Sequence, residues 1–440
     1  MAEPVSDPPE TTVVISSDGW GTTKVALLFV GVGVLTRFLV VFVLGTFSNP
    51  ELFEYDDMAR SLNSGFGYVY RHFGVDYKSY YPGVPYIAWT AFLYSLFPKS
   101  VVLGQAAVLL AQSVMSGLLA YVVFLIGREL WNGRAGVVAA GLTLLHPGLA
   151  YYDTHKLHPL SFDTLLVTFV VWALLRLRTS QSFPKIMLTG IVLGVVLLQR
   201  GSLALFVPVS AMWVWLTGSQ ALRLRIQRSV VFTLGIVVAI SPWLIRNYQV
   251  HGVPLMTTTN GEHFWLGNAP HSFGSATLPS GELAIDQSSA AVWDATSEME
   301  QNGIYWQAAM DNVNADPGGF VVGIFKKFVY FWTIAPQTGV RYPGLYSVGY
   351  FAFYIPLILF AFVGAWRVAN RDNYETSDAL WVILLIGSVC LSVSLIHSLL
   401  YFELRHRWLL EPMLAVFAAI GILKYFGHTV RPGQPVSAEY

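Results

Sequence analysis

Four carboxylates crowd seven residues at Glu51, Glu54, Asp56 and Asp57. Drawn on a helix, Glu51, Glu54, Tyr55 and Met58 share a face through i, i+3 and i+4 spacing. A carboxylate held beside a reacting hydroxyl can take its proton as a general base. The same residues also suit a plain solvated first turn, where acids favour the helix dipole. A second cluster lies in YYDTHKLHPLSFD, with Asp153, His155, Lys156 and His158 within a few positions. Asp153 and His158 are a candidate pair for a divalent metal, and Lys156 for a phosphate. The bland alternative is a polar turn in which Pro159 opens the next helix. Asp163 follows inside an apolar run, where an acid marks either a site or a hydrogen bond within a bundle.

Cations form a third group: Arg200, Arg246 beside Asn247, and Arg405 and Arg407 in ELRHR. Arginine grips a phosphate through two parallel hydrogen bonds. Arginines near a membrane surface also snorkel to headgroups. Arg37 lies deep in the first apolar run, where facing lipid is costly, so it should point into the protein.

The elements that position these residues follow from composition. The 440 residues are 54% hydrophobic and only 12% charged, with zero net charge, and the mean hydropathy is +0.54. Soluble domains carry roughly 25% charged residues. The chain therefore reads as an all-α integral membrane protein. About ten apolar runs approach the length of a spanning helix: 24–46, 101–127, 135–152, 160–177, 185–199, 202–217, 229–246, 346–367, 379–400 and 408–427. Residues 1–23 read as a disordered cytoplasmic tail, 24–427 as the membrane domain and 428–440 as a second tail. No signal peptide or lipidation motif is expected. The single Cys390 lies in an apolar run, so no disulfide forms within the chain.

Basic loops set the orientation. Arg128 and Arg134, Arg176 and Arg178, and Arg223, Arg225 and Arg228 fall on one side if ten spans alternate. That side is cytoplasmic. Segments 47–100 and 247–345 then become long exterior loops. YYPGVPYIAWTAFLYSLF (80–97) is expected as a helix lying along the membrane, because spanning there would put RELWNGR outside. FVVGIFKKFVYFW (320–332), interrupted by Lys326 and Lys327, reads as a second interfacial helix. The cytoplasmic loops are short, and neither a P-loop nor G-x-G-x-x-G appears. Chemistry, if present, faces outward in a plasma or inner membrane. Nothing in the charge balance suggests nucleic acid.

Taken in order, the motifs resemble the GT-C superfamily of polytopic glycosyltransferases, in the branch of the protein O-mannosyltransferases and the lipid A aminoarabinose transferase. The carrying segments are EYDDMARSLNSGFGY, YPGVPYIAWTAFLYSLF, RELWNGRAG, LLHPGLAYYDTHKLHP, LLQRGS, SPWLIRNYQVHGVPLMTTTNG with FWLGN, and ELRHRWLLEPMLAVFAAIG. The resemblance runs over most of 24–427. It implies a polyprenyl-phosphate sugar donor, a glycan, lipid or protein acceptor, and a catalytic carboxylate in the first exterior loop. Glu51 stands where relatives have that carboxylate as Asp, with Glu54 its neighbour and Asp56 and Asp57 its rivals. His158 precedes Pro159 where relatives have an acid. Tyr80 and Tyr81 stand where relatives have a base, leaving Lys78 as the nearest cation. Arg200, Arg405 and Arg407 match the phosphate-side arginines.

Two other classes fit part of the pattern. A ligase or polymerase acting on a lipid carrier uses exterior arginines, but with its large loop late in the chain. A lipid-linked sugar transporter expects polar groups at the bilayer midplane, whereas here they gather at one end. The departures at Glu51 and His158 also leave room for an inactive relative.

Overall fold

The computed structural model describes residues 19–72, 75–79, 82–217, 221–270, 272, 274–276, 290–333, 344–370 and 376–426. Both expected tails fall largely outside these residues. The first half of the chain runs α1 (Gly19–Val43), α2 (Glu54–Asn63), the hairpin β1 (Val69–His72) and β2 (Val75–Lys78), α3 (Val84–Ser95), α4 (Val101–Leu130), α5 (Gly133–Leu144), α6 (Pro147–His155), α7 (Leu160–Arg176), α8 (Phe183–Gln199) and α9 (Phe206–Leu216). The second half runs α10 (Leu222–His251), α11 (Asn260–Asn268), α12 (Ala290–Asp294), α13 (Glu298–Ala315), α14 (Pro317–Trp332), α15 (Gly344–Ala369), α16 (Thr376–Leu399), α17 (Leu404–Trp408) and α18 (Glu411–Phe426).

Local sequence explains the helix starts. Ser100 caps α4 by accepting from the Leu103 N–H at 3.3 Å, and Asn132 caps α5 by accepting from the Ala135 N–H at 2.9 Å. Helix α1 starts at Gly19, inside the expected tail.

Among the described residues five helices are long and apolar enough to cross a bilayer: α1, α4, α10, α15 and α16. The other five expected spans coincide with shorter helices. The 135–152 run is not one helix. Pro147 has no N–H to donate and disfavours helix at the preceding residue, so the chain turns at His146, whose ring Nδ1 accepts from the Leu149 N–H at 3.1 Å. The 202–217 run begins with a single 3-10 turn at Gly201–Leu203, which leaves α9 only 11 residues. At about 1.5 Å per residue that is well short of a roughly 30 Å hydrocarbon core.

Small residues let the helices touch. A methyl group on Gly190 of α8 would strike the Phe232 carbonyl of α10, and one on Gly364 of α15 would strike the Phe417 carbonyl of α18. Close backbone approach of this kind is how helices gain contact where lipid supplies no hydrophobic drive. Outside, Leu28 and Leu35 of α1, Val230 and Leu234 of α10, and Leu359 and Phe362 of α15 are exposed. Such an apolar coat is stable only against hydrocarbon, and the chain is an integral membrane protein.

The two loop helices form as helices. Helix α3 buries Tyr86, Ile87, Thr90, Leu93 and Tyr94. Helix α14 exposes Val321, Val322 and Phe325, but Lys327 does not interrupt its apolar face. That side chain turns inward, 2% exposed, and its Nζ donates to Asn268 Oδ1 and the Leu400 carbonyl, both at 2.9 Å. It thus caps the ends of α11 and α16, where the helix dipoles favour a cation.

Candidate active site

Glu51 does not lie on the acidic helix. Phe53 is extended, α2 begins at Glu54, and the expected common face of Glu51 with Glu54, Tyr55 and Met58 does not form. Glu51 instead pairs edge to edge with the 155–157 turn: its N–H donates to the His155 carbonyl at 2.8 Å and its carbonyl accepts from the Leu157 N–H at 3.0 Å. This register sets Lys156 Nζ 2.7 Å from Glu51 Oε1. The Lys156 side chain is 3% exposed and Glu51 52%. Lys156 Nζ also lies 5.4 Å from the centre of the Phe53 ring and 4.9 Å from that of Tyr152.

The turn is fixed from below by Gln112 of α4. Its Nε2 donates to the Lys156 carbonyl at 2.9 Å, while its Oε1 accepts from Tyr86 Oη at 2.7 Å and from the His158 N–H at 3.2 Å. One buried amide therefore ties α3 to the turn. Nothing in the sequence singled out Gln112, because a lone polar residue on an apolar helix looks like any hydrogen-bonded core group.

The remaining acids of α2 separate. Asp56 is buried and held by Arg60 at 2.7 Å and by Tyr94 Oη, so it braces α2 against α3. Asp57 is exposed. Glu54 faces the interior, where its charge reaches Tyr55, Glu262 and Glu403.

Two arginines stand at the same end. Arg200 follows α8, and its Nε is 2.6 Å from Asp163 Oδ2 of α7. Arg405 of α17 is 2.6 Å from Glu403 and lies over the Phe53 ring. His158 marks where the cations meet: burial and then the charges of Arg405, Arg200 and Lys156 hold its imidazole well below the usual range. Each of these cations is paired with a carboxylate, Lys156 with Glu51, Arg200 with Asp163 and Arg405 with Glu403, so an anion entering here would share them with those acids.

Residues 260–268 and 401–406 close the far side. Burial and then the charge of Glu54 push the Glu262 carboxyl up to about 7. Burial, Arg405 and Arg200 push His263 down to about 4. His397 and His406 stack at 3.9 Å, and His406 Nδ1 accepts from the Glu403 N–H at 3.1 Å. Glu262, His263 and Glu403 were not among the expected site residues. Glu262 sits alone in TTTNGEHFWLGN, with no neighbouring charge to signal it.

Three expected residues are engaged elsewhere. Arg407 is 1% exposed and bonded to Glu411 at 3.0 Å, Tyr350 Oη at 2.8 Å and the Phe331 carbonyl at 2.7 Å. His146 holds the second Glu411 oxygen at 2.7 Å. Arg407 is thus a lock between α14, α15 and α18, not a group free to meet a substrate. Asp153 is fully buried, one oxygen taken by Arg37 at 2.9 Å and the other by Ser161. It is not available as a partner of His158 in a metal site, though it does give Arg37 the inward partner it needed. Among the described residues no group of three His, Cys, Asp or Glu side chains could hold a metal. Lys78 ends β2 opposite Val69, and its side chain lies outside the described residues, as do Tyr80 and Tyr81. Arg246 is tied to the Ser79 carbonyl at 2.8 Å, which anchors the hairpin to α10.

Residues 82–245 match the family model described as dolichyl-phosphate-mannose-protein mannosyltransferase. No curated protein matches the chain in sequence. Among solved structures, the archaeal oligosaccharyltransferase AglB from Archaeoglobus fulgidus superposes with a TM-score of 0.53 at 12% identity, over 92% of this chain and 50% of that one. ArnT from Cupriavidus metallidurans gives 0.42 at 14% identity, over 92% and 78%. The chain thus spans about half the length of AglB. The mannosyltransferase match takes in Gln112, Lys156, Asp163 and Arg200, and the fold is one shared with AglB over 92% of this chain.

Proposed function

We propose that the protein transfers a sugar from a polyprenyl-phosphate donor to an acceptor hydroxyl on the exterior side of the membrane. The observation that carries this reading is the placing of Lys156 and Arg405 over the Phe53 ring, which stands edge-on to His158 at 5.0 Å, with Glu51 on Lys156 and Arg200 on Asp163. Glu51 accepts the acceptor's proton as the acceptor oxygen bonds the sugar's anomeric carbon. The bond from that carbon to the phosphate oxygen breaks, and the arginines hold the departing polyprenyl phosphate. Charge that develops on the phosphate is stabilised by cations already in place. Among the described residues no metal donor set surrounds His158, since both oxygens of Asp153 are taken by Arg37 and Ser161, and no step passes through a metal.

The family description names a dolichyl-phosphate sugar, and AglB is described in complex with a dolichol-phosphate; both support a lipid-borne donor here. The exterior side follows from the basic RELWNGR loop, with α3 and α14 lying at the membrane surface. Cysteine labelling in intact cells tests it: an impermeant reagent should reach a cysteine at the exposed Ser64 but not one at the exposed Arg134. The reverse result would overturn the orientation. The activity is tested by incubating purified protein with radiolabelled polyprenyl-phosphate sugars and following release of polyprenyl phosphate. Absence of turnover with every hexose and pentose donor, together with ATP- or gradient-driven movement of the intact donor across liposomes, would favour a transporter instead.

A further inference from the structure

A second polar site lies at the opposite end of the bundle. Asp163 opens α7 and Arg200 follows α8, whereas the far ends of these helices carry Arg176 and Lys185. At about 1.5 Å per residue the two sets are separated by roughly 20 Å. Between the ends of α4, α7 and α8 is a cavity of about 380 Å³. Its polar rim holds Arg128, Arg176 and Lys185 against one carboxylate, Glu129, and its wall is apolar, with Phe169, Trp172 and Leu188 among the lining residues.

The rim charges are incompletely neutralised within the protein. Arg176 lies 3.8 Å from Glu129, a loose pair with the arginine 53% exposed. Among the described residues Lys185 donates only to a neutral hydroxyl, Ser180 Oγ at 2.6 Å, and Arg128 to Thr23 Oγ1 at 3.2 Å. The charges of Arg178 and Arg128 also reach Glu129, so one carboxylate faces four cations with Lys185 counted. A cationic rim over an apolar slot with a half-buried tryptophan matches a headgroup joined to an acyl chain, not a free ion.

We infer that this cavity binds an anionic glycerophospholipid of the leaflet opposite the proposed active site. The lipid phosphate meets Arg176, Lys185 and Arg128, and an acyl chain lies along Phe169, Trp172 and Leu188. Occupancy would cross-brace α4, α7 and α8, the same helices that position Gln112, Asp163 and Arg200. The inference does not depend on the transferase reading.

The test uses the purified full chain, stripped of lipid in neutral detergent and titrated with phosphatidylglycerol or with phosphatidylcholine of the same acyl chains. Thermal stability and native mass spectrometry are read in parallel. Phosphatidylglycerol should raise the melting temperature and persist as a one-to-one adduct, and phosphatidylcholine should do neither. Arg176→Gln with Lys185→Gln should weaken the phosphatidylglycerol effect by about 10- to 150-fold in midpoint concentration, the loss expected for a charge-assisted contact. Trp172→Ala should weaken it with the rim charges intact, and Arg223→Gln, a cation on the same side but outside the cavity, should not. Equal stabilisation by the two lipids, an unchanged midpoint in the double variant, or an equal loss in Arg223→Gln would each overturn the proposal. So would full stabilisation by inorganic phosphate alone, which would make the site one for a free anion. Should the double variant not fold, Arg176→Lys and Lys185→Gln tested singly carry the same expectation in smaller steps.

Discussion

Lys156 Nζ lies 2.7 Å from Glu51 Oε1 across 105 residues of sequence, with the lysine buried and the glutamate half-exposed. The pair joins two clusters that read as separate motifs along the chain. It orients the Glu51 carboxylate, whose second oxygen has no hydrogen-bond partner among the described residues and is where the proposed acceptor hydroxyl would bind. It also places a cation next to the position proposed for the leaving phosphate.

Glu51→Gln should lower turnover by about 10²- to 10⁴-fold, the usual contribution of a general base, with donor binding nearly unchanged. Glu51→Asp should retain part of the rate, because the carboxylate remains but is one methylene short of Lys156. The transfer assay run in parallel on Glu54→Gln and Asp57→Asn checks the assignment. Wild-type turnover in Glu51→Gln with a collapse in Glu54→Gln would move the base to the first residue of α2.

Arg200 and Arg405 each neutralise a buried acid as well as facing the site, so alanine would confuse two effects. Removing one partner of a buried pair costs about 3–5 kcal/mol. Lysine keeps the charge beside Asp163 or Glu403 but loses the bidentate fork. Arg200→Lys and Arg405→Lys should therefore keep a near-wild-type melting temperature and lose donor affinity. A loss of about 1.5–3 kcal/mol, or roughly 10- to 150-fold, is expected by titration with polyprenyl phosphate. Unchanged affinity in both variants would remove the arginines from the donor site.

Arg407→Ala should behave differently from either. It leaves Glu411 buried beside His146 and removes four hydrogen bonds, to Glu411, Tyr350 and the Phe331 and Thr333 carbonyls. The expected result is a destabilisation of about 3–5 kcal/mol, seen as a large fall in melting temperature. Protein that remains folded should bind donor normally. A selective loss of donor binding at unchanged stability would return Arg407 to the site.

Glu262 supplies a pH dependence. Its carboxyl is raised from 4.5 to about 7 by burial and by Glu54. A group raised on folding contributes its full stability below about 4.5 and loses it as pH climbs through about 7. Ionisation there adds a negative charge near Glu54, on the side of the site that faces Arg405. Donor KM should therefore rise as pH passes through about 7, with kcat less affected. Glu262→Gln mimics the neutral acid and should flatten the KM profile. A profile that stays unchanged in Glu262→Gln would assign the inflection to another group.

Gln112→Leu keeps the volume but removes the amide that Tyr86, Lys156 and His158 share. Each buried polar group left without a partner costs about 1–3 kcal/mol. The variant should lose both stability and turnover, because Lys156 is no longer held opposite Glu51. Wild-type kcat in a stable Gln112→Leu protein would show that the turn is positioned without it.

Sequence alone determined the solvent of this protein. Apolar runs and sparse charge require a helical membrane fold, because local hydropathy and backbone hydrogen bonding leave few other choices. The helix boundaries at Ser100 and Asn132 follow from caps within four residues, and the break at His146 follows from Pro147. Arg37 had to point inward, and it does, to Asp153. The pairing of the charges was decided only in three dimensions. Arg405 and Arg407 stand two positions apart, but on a helix that spacing turns them about 200° from each other. One meets Glu403 at the site and the other is locked against Glu411. Glu51 reaches Lys156, and Asp163 reaches Arg200, through contacts between segments that share no periodicity. Lys327, which reads as an interruption of an apolar face, becomes a buried cap because two helix ends happen to converge on it. Propensity and pattern act over a few residues, whereas partner choice depends on which helices pack together, and that is set by the whole bundle.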